Sequence, residues 1–503
     1  MAAVFHCDRR RFLRTSASAA AGLLAAPVSA LAGVPQQRTR PAPSSSPSLS
    51  RQFARWVAGL RYDDLPAGVV DRVKGLTLQN ISSALLGSRT ASGQQAAQFI
   101  LDEESGVARG ATLIASGQRV TTGGAAFANS EMMYAGGKWD TFRMLTHPGT
   151  VIIPAALAAA ETEGASGRDF ITGVAAGYEV MERMGGDWIP TVMARGFHAG
   201  PVFSLFGAAV AAAKIMGFTA DQLHAVISLC TNLAGSNLES RALREGAAAR
   251  NAMLAVGLAR HGTIGGGDAV LEGPAGFYRA YAGNNTGELT YSFTGDTHTS
   301  LQKLTDHLGA DWMLLETLYR IYSIPGYNIA HIDVTAKLCE EHDIRYEDVD
   351  YVEAVVNWLE TQYPSPAFPT QREDTTDAPR RGSTRYYSAY AVVTRGYPML
   401  PGTPDPPAVL ELMKRVRIIP SHRMTLFGPR ITIVLKDGRS FTKQATGREF
   451  IWDFEEEARR IRAIVPGLSM APAQFEQLIG ACRALEGEQR ADALVHLTLN
   501  TRS

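Results

Sequence analysis

The chain has 503 residues, and its 49 basic and 49 acidic side chains give a formal net charge of zero. This balance argues against a nucleic-acid-binding protein, which needs an excess of basic residues to neutralise phosphates. Hydrophobic residues make up 45% and charged residues 19%, which is typical of a globular protein and not of a disordered chain. No two of the four cysteines have CxxC spacing, so the sequence predicts neither a zinc ribbon nor a thioredoxin-like site.

The N-terminus has the pattern of an export signal. Residues 8–14 (DRRRFLR) match the twin-arginine pattern, and an apolar run at 17–26 and a small-residue cleavage site at 30–32 follow in the expected order. We therefore predict a signal peptide over 1–32 that engages the twin-arginine export machinery and directs the protein to the periplasm. The alternative is a basic, Ala-rich disordered terminus. A Pro- and Ser-rich stretch predicts a disordered linker over 33–49.

The first half of the chain has the spacing of helices. Apolar residues recur every three or four positions from residue 50 to about 310. Between 151 and 216 the predicted helices are rich in Ala and Gly, which indicates a closely packed, buried bundle. Asp169 and Asp221 precede apolar stretches and are predicted to cap helices. No segment after the signal is long and apolar enough to predict a membrane span.

The second half mixes strands and helices. Residues 350–357 and 430–435 are predicted strands, and Asp437-Gly438 indicates a hairpin after the second strand. Helical spacing returns after residue 448. The predicted fold is therefore mainly α with an inserted α+β domain. The predicted parts are a helical domain over 50–316, an α+β domain over 317–446 and a C-terminal return to the helical domain over 447–503.

Four segments carry residues suited to proton transfer. Asp140 and His147 lie seven residues apart across a loop between two predicted helices, where a carboxylate and an imidazole can act as base and acid. Each residue alone has a structural alternative. The Asp140–His147 pair is then solvated or caps a helix, His198 belongs to the core, His331 caps a helix or lies at the surface, and Tyr387 is a packing residue.

Other common types of site are not indicated. The Gly-rich stretch at 262–268 lacks the phosphate-loop pattern, and the histidines lack HExxH or HxH spacing. The chain also lacks the GxSxG pattern of a nucleophilic serine. We therefore predict no metal and no cofactor.

Together these segments resemble the MmgE/PrpD family, which includes 2-methylcitrate dehydratase, cis-aconitate decarboxylase and iminodisuccinate epimerase. The resemblance covers about residues 50 to 486. Its most typical stretches are Asp140-Thr141 with His147-Pro148, residues 164–167 with 177–180, residues 195–198, residues 246–251 and residues 271–277.

The resemblance implies a mainly α fold with an α+β lid, commonly as a homodimer, with the active site in the cleft between the helical domain and the lid. It also implies metal-free acid–base chemistry on a small polycarboxylate in that cleft. By their positions in the family motifs, the implied site residues of the helical domain are Asp140, Thr141, His147 and His198. His331 and Tyr387 would close the site from the lid, and Arg241 and Arg320 would anchor carboxylates, with Lys138 beside them.

The chain also departs from the family pattern. Relatives usually have D-F-D-D-T where this chain has Gly137-Lys138-Trp139-Asp140-Thr141, so two acids are missing. Arg241 and Arg320 stand where many members have lysines. Arginine keeps its charge and is a poor proton carrier, so carboxylate binding is retained at these places but a lysine proton shuttle is lost.

These observations lead to three hypotheses about function. The first is a lyase that abstracts a proton α to a carboxylate of a small di- or tricarboxylate, as a dehydratase in preference to a decarboxylase. The second is an isomerase or epimerase of a small dicarboxylate, such as an iminodisuccinate-like compound, which returns the proton to the opposite face. The third is a non-catalytic carboxylate-binding homologue.

Overall fold

A computed structural model describes residues 47–240, 242–322, 324–370, 372, 380–396 and 404–499. The predicted signal peptide over 1–32 and residues 33–46 of the predicted linker lie outside the described residues. From Pro47 onward the chain forms one compact unit. No helix in the described ranges combines the length and apolar character needed to cross a bilayer.

The chain begins with helices around a short strand pair. These elements are α1 (Leu49–Gly59), α2 (Ala67–Gly87), α3 (Ala91–Glu104), β1 (Ala111–Thr112), β2 (Arg119–Val120) and α4 (Thr122–Gly136). The helical spacing predicted from residue 50 onward is confirmed here by α1, α2, α3 and α4. Helix α2 is buried along most of its length and packs on α4, so it lies inside the molecule.

The Ala- and Gly-rich stretch forms the buried bundle that the sequence predicts. Its elements are β3 (Asp140–Thr141), α5 (Gly149–Glu163), α6 (Gly167–Gly185), α7 (Ile189–Met193), α8 (Ala199–Ile215), α9 (Ala220–Leu233), α10 (Arg244–Arg260) and α11 (Phe277–Tyr281). Helices α6 and α8 approach most closely at Gly177 and Gly207. A Cβ atom on Gly177 would lie 2.5 Å from the carbonyl oxygen of Gly207, which explains why both positions need glycine.

The two predicted helix caps are wrong by two or three residues. Ser166 caps α6 and Thr219 caps α9, because their hydroxyls accept the exposed backbone N–H groups of the first turns. Asp169 is the third residue of α6 and completes a capping box with Ser166. Asp221 lies in the first turn of α9 and pairs with Arg51 at 3.1 Å.

The last third of the chain contains the larger sheet. Its elements are β4 (Leu318–Tyr319), α12 (Gly326–Glu341), β5 (Val349–Asn357), α13 (Thr384–Thr394), α14 (Pro407–Leu412), β6 (Val416–Ser421), β7 (Arg430–Leu435), β8 (Ser440–Gln444), α15 (Phe454–Ile461), α16 (Pro472–Arg483) and α17 (Ala493–His496). The strand order is β6-β5-β7-β8, with β5 and β6 parallel and the other pairs antiparallel. Both predicted strands and the hairpin between β7 and β8 are confirmed. Helices α12 and α13 pack on this sheet.

The fold is mainly helical with a small sheet region near the C-terminus, as the sequence predicts. Helices account for 55% of the structure. The division at residues 316 and 446 into a helical domain, a lid and a return segment stays a prediction.

Candidate active site

A two-residue strand pair joins the two halves of the chain beside the candidate site. In this antiparallel pair, Asp140 of β3 lies opposite Tyr319 of β4, and Thr141 lies opposite Leu318. Arg320 follows directly after β4. Residues 177 and 179 positions apart in the chain are therefore held next to one another by backbone hydrogen bonds.

The loop after β3 is tight. It is closed by backbone pairing between Phe142 and Thr146. Arg143 and Leu145 have φ angles of 52° and 80°, a left-handed conformation that costs energy for residues with a side chain. Arg143 also pairs with Glu316 at 2.6 Å, shortly before β4. This loop places His147 two residues before the start of α5.

A backbone carbonyl fixes the proton on the His147 ring. Nδ1 of His147 lies 3.0 Å from the carbonyl oxygen of Asp140. Because a carbonyl can only accept, Nδ1 donates, and Nε2 of the neutral ring is left as an acceptor. Burial and then the charge of Arg320 lower the pKa of His147 well below 6.5. The imidazole is therefore neutral at neutral pH and has the protonation state of a general base.

The Asp140 carboxylate is fully buried and holds the start of α5. It accepts hydrogen bonds from the backbone N–H of Gly149 at 2.9 Å and from the hydroxyl of Tyr178 at 2.7 Å. Burial raises its pKa to about 6, although these hydrogen bonds act in the opposite direction. A negative carboxylate at a helix N-terminus also interacts favourably with the helix dipole. Asp140 does not line the cavity described below, and its direct role in proton transfer stays a prediction.

A cavity of about 450 Å³ opens beside His147. Residues from both halves of the chain line it. The polar and aromatic lining residues of the first half are Tyr134, Trp139, Thr141, His147, His198, Glu239 and Arg244. Those of the second half include Arg320, Tyr327, Tyr363 and Phe427. Its volume suits a small organic acid.

Arg320 is the most distinctive charge in this cavity. It is 9% exposed, one of its N–H groups donates to the carbonyl of Ile324, and no carboxylate of the described residues lies within ion-pair distance. Burial lowers its pKa to about 10. The groups that favour its charged form are tyrosines and not acids. A buried guanidinium of this kind is stabilised by an anionic ligand.

Arg244 is the second arginine of the cavity. It begins α10, and its Nη2 donates to the hydroxyl of Tyr134 at 2.8 Å. The Glu245 carboxylate lies 3.7 Å from Nε of Arg244, and burial raises the pKa of Glu245 to about 7.

His198 lines the cavity at the N-terminus of α8. It is 8% exposed, and its Nδ1 has no hydrogen-bond partner in the described part of the chain. Burial and the charge of Arg244 lower its pKa to about 3, so the ring is neutral at neutral pH.

His331 and Tyr387, the two site residues predicted to close the site from the second half, are buried and are not among the residues that line the cavity. His331 lies within α12, is fully buried, and has no hydrogen-bond partner at either ring nitrogen among the described residues. Tyr387 is 9% exposed and lies near enough to Arg320 for that charge to lower its pKa, although burial raises the pKa overall. Neither side chain lines the cavity.

Two predicted cationic residues remain to be placed. Lys138 is half-buried next to the cavity, and burial together with the charge of Arg320 lowers its pKa. Arg241 lies outside the described residues. Among the described residues, no group of three or more His, Cys, Asp or Glu side chains is arranged to hold a metal ion.

Sequence reasoning missed several lining residues of the first half, among them Arg244, Trp139 and Tyr134. Arg244 belongs to the same motif as Arg241, so the motif pointed to the segment but not to this residue. Trp139 lies in the segment that departs from the family pattern, and this departure could have marked it as a candidate site residue. Tyr134 carries no such signal, because it lies in an ordinary helix and reaches the cavity only through the packing of α4.

Comparison with known proteins points to a family. Residues 51–290 match the MmgE/PrpD N-terminal domain. A cis-aconitate decarboxylase-like protein of Aspergillus oryzae is 27% identical over 59% of this chain and 63% of its own length. The cis-aconitate decarboxylase of Aspergillus terreus is 26% identical over 55% of this chain and 57% of its own length.

A longer match comes from a human protein. Human cis-aconitate decarboxylase is 25% identical over 79% of this chain and 83% of its own length. The chain spans about three fifths of the length of the two fungal relatives. Residues 51–290 are therefore similar to an MmgE/PrpD N-terminal domain, and this match, the relatives and the motifs around His147 and His198 all support the MmgE/PrpD family.

Proposed function

We propose that this chain is a metal-independent lyase that acts on a small di- or tricarboxylate in the cavity beside His147. The reaction begins with abstraction of a proton α to a carboxylate. The proposed site forms a cleft between the helical domain and the α+β lid. The observation that carries the proposal is Arg320, a buried guanidinium that lines the cavity with no carboxylate partner among the described residues.

The cation arrangement supports a polycarboxylate. Arg244 and Arg320 both line the cavity, and Lys138 lies close by. Arginine binds carboxylates through paired N–H groups, and burial strengthens this interaction because water does not screen it. Two arginines accommodate two carboxylates. Among the described lining residues, Glu239 is the acid, and its side chain is exposed at the cavity mouth.

The neutral histidines support proton abstraction. Nε2 of His147 accepts the α proton, and the electron pair left on carbon forms the new double bond as the bond to a β-hydroxyl breaks. The departing hydroxide takes a proton from a phenol and leaves as water. Tyr134 lines the cavity and burial raises its pKa, so it retains the proton it would donate. Tyr387, the donor implied by the family motifs, lies near Arg320. The developing carbanion charge is stabilised by the two arginines.

Decarboxylation is a second candidate because the matched relatives are named cis-aconitate decarboxylases. The same cavity would hold the substrate, and the bond that breaks would join carbon to a carboxylate. As carbon dioxide leaves, the electron pair of the broken bond stays on the substrate as a carbanion, which the two arginines would stabilise and which then takes up a proton from the site or from water. The product has one carboxylate fewer than the substrate.

The experiment that tests the proposal is a screen of small di- and tricarboxylates, including cis-aconitate, in D2O followed by NMR. A dehydratase yields an unsaturated acid and water, and a decarboxylase releases carbon dioxide. Deuterium at the α-carbon without elimination would instead support the epimerase. Thermal stabilisation by a carboxylate with no turnover and no exchange would support the binding homologue. Absence of binding, exchange and turnover across the screen would contradict the proposal.

We also propose that the protein is exported through the twin-arginine pathway and acts as a periplasmic homodimer. The sequence of residues 8–14 supports the export signal. Replacing Arg9 and Arg10 by lysine should retain the protein in the cytoplasm in a fractionation experiment, and unchanged export would contradict the proposal. Light scattering of the purified protein would test the homodimer.

A further inference from the structure

We propose that Trp139 is a positioning residue that holds the carboxylate-binding Arg320 in a fixed place beside the His147 ring. The inference rests on the proposed function, in which Arg320 binds a carboxylate and His147 accepts a proton. It assigns a role to a residue that is not among the predicted site residues.

The Trp139 indole contacts both groups. The guanidinium carbon of Arg320 lies over the indole, 4.6 Å from its centroid. The His147 ring centroid lies 4.4 Å from the indole, with the two planes inclined by 48°. An arginine over the face of a tryptophan is attracted by the ring quadrupole, most strongly where water is excluded. The indole is therefore a shared support for the cation and the base.

The indole is itself held at several points. Its Nε1–H donates to the carbonyl of Tyr134 at 2.8 Å, and the Trp139 carbonyl accepts from the side-chain amide of Gln79 at 2.7 Å. The Tyr134 ring stacks on the indole at 4.6 Å with only 7° between the planes. The Tyr134 hydroxyl in turn accepts from Arg244. One aromatic stack thus connects both arginines of the cavity.

The indole matters for the position of Arg320 because this side chain makes few other contacts that could hold it. Nη2 of Arg320 donates a hydrogen bond to the carbonyl of Ile324. Nε of Arg320 has no hydrogen-bond partner among the described residues. Without the indole, rotation of the long side chain would move the positive charge relative to His147. The charged and titratable groups that act on His147 are Arg320, His198 and Arg244, and the Asp140 carbonyl accepts from its Nδ1. Of these, Arg320 is the one that contacts the indole.

The test is a double-mutant cycle with Trp139→Leu, Arg320→Met and the double variant. The first measurement is the pKa of His147 in the free protein, followed by NMR of its labelled ring and assigned with His147→Gln. Trp139→Leu should raise this pKa toward its ordinary value, because Arg320 moves away, and Arg320→Met should raise it as well. Trp139→Leu should raise the pKa less in the Arg320→Met background than in the unsubstituted protein, because only the direct packing of the indole on His147 is then lost. Trp139→Phe retains an aromatic face and should stay close to the unsubstituted protein.

The second measurement is the affinity for tricarballylate, a tricarboxylate without a leaving group, by calorimetry. Trp139→Leu should weaken the binding of tricarballylate about tenfold in the unsubstituted protein. In the Arg320→Met variant, the same substitution should not weaken binding further. Additive effects of the two substitutions, or no effect of Trp139→Leu, would overturn the inference, because a purely structural tryptophan acts independently of Arg320. Trp139→Met, which fills similar space without a ring, replaces the leucine variant if that variant does not fold. If the unsubstituted protein does not bind tricarballylate, the result counts against the proposed function, and the His147 titration alone decides the role of Trp139.

Discussion

At His147, the backbone carbonyl of Asp140 determines which of the two ring nitrogens carries the proton. The Asp140 carbonyl accepts from Nδ1 and directs the lone pair to Nε2. The same residue holds the start of α5 through its carboxylate, which accepts from the Gly149 amide. Asp140 therefore orients the proposed base through its backbone and anchors the neighbouring helix through its side chain, without reaching the cavity itself.

The first prediction is that His147→Ala lowers turnover by ~100-fold or more on a substrate identified by the screen. The physical reason is loss of the group that accepts the α proton. Turnover is measured under saturating substrate, and circular dichroism checks that the fold is retained. Unchanged turnover would remove His147 from the mechanism.

The second prediction concerns the pH dependence of activity. The pKa of His147 lies well below 6.5 and that of His198 is about 3, both because of burial. A base is active when it is unprotonated, so activity is present above its pKa and is lost as the pH falls through it. We therefore expect kcat/KM to be level above about pH 6.5 and to fall only at lower pH, after correction for titration of the substrate. An acid limb with a midpoint above pH 6.5 would contradict this assignment.

Some residue roles were predictable and others were not. The spacing of Asp140 and His147 across a loop indicated the segment that forms the site. Arg244 and Tyr134 could not be chosen in the same way, because each is an ordinary helix residue whose contact with the cavity depends on how α4 and α10 pack.

At the scale of the elements, the chain between β3 and α5 is so closely packed at Gly149 that no side chain fits there. A Cβ atom on Gly149 would lie 2.2 Å from the side-chain nitrogen of Asn80 and 2.4 Å from the hydroxyl of Tyr178. Both groups are buried. The backbone can approach the Asp140 carboxylate only because residue 149 has no side chain.

The third prediction is that Gly149→Ala lowers the free energy of unfolding by about 1–3 kcal/mol, because the new methyl group displaces Tyr178 and Asn80 from Asp140. Urea denaturation provides the measurement. The matched control is Gly257→Ala within α10, where a Cβ atom would meet nothing within 4 Å. That variant should be stabilised by up to about 1 kcal/mol, because alanine is the better helix former. Equal effects of the two substitutions would contradict the proposed close packing.

Long elements were predictable from periodicity, whereas very short ones were not. The pattern of apolar residues located α1, α2, β5 and β7, because each is long enough to show a helical spacing or a strand-like run. The β3–β4 pair has two residues on each strand, which is too short to produce a pattern. It forms only when the two halves of the chain are already packed together, yet it is the element that brings Arg320 to His147.

At the scale of the whole molecule, the interior contains several neutral imidazoles. His331 is fully buried and His198 nearly so, and burial lowers the pKa of each to about 3. The pKa of an unfolded histidine is about 6.5. Each folded-state pKa is depressed, so the stability that the neutral ring contributes is fully present above pH 6.5 and is lost as the pH falls toward 3.

The fourth prediction is that His331→Leu gains stability relative to the unsubstituted protein as the pH falls. Leucine does not titrate, so the difference in unfolding free energy should be constant above about pH 6.5 and should shift toward the variant by about 1.4 kcal/mol per pH unit below it. Chemical denaturation at a series of pH values measures the shift. Buried carboxyl groups such as Glu360, whose pKa is raised to about 8, cancel in this difference. His198→Leu should show the same trend, and a difference independent of pH in both variants would contradict the prediction.

The sequence alone determined the mainly helical class, the position of the sheet in the last third, and the resemblance to the family, because these depend on local periodicity and on motifs that are continuous in the chain. Only the tertiary structure decided which cations line the cavity, which nitrogen of His147 is left as an acceptor, and that His331 and Tyr387 are not among the lining residues. Those properties arise from contacts between residues far apart in sequence, such as Asp140 with Tyr319 and Trp139 with Arg320. Burial then sets the protonation states, and burial is a property of the packed molecule and not of any one segment.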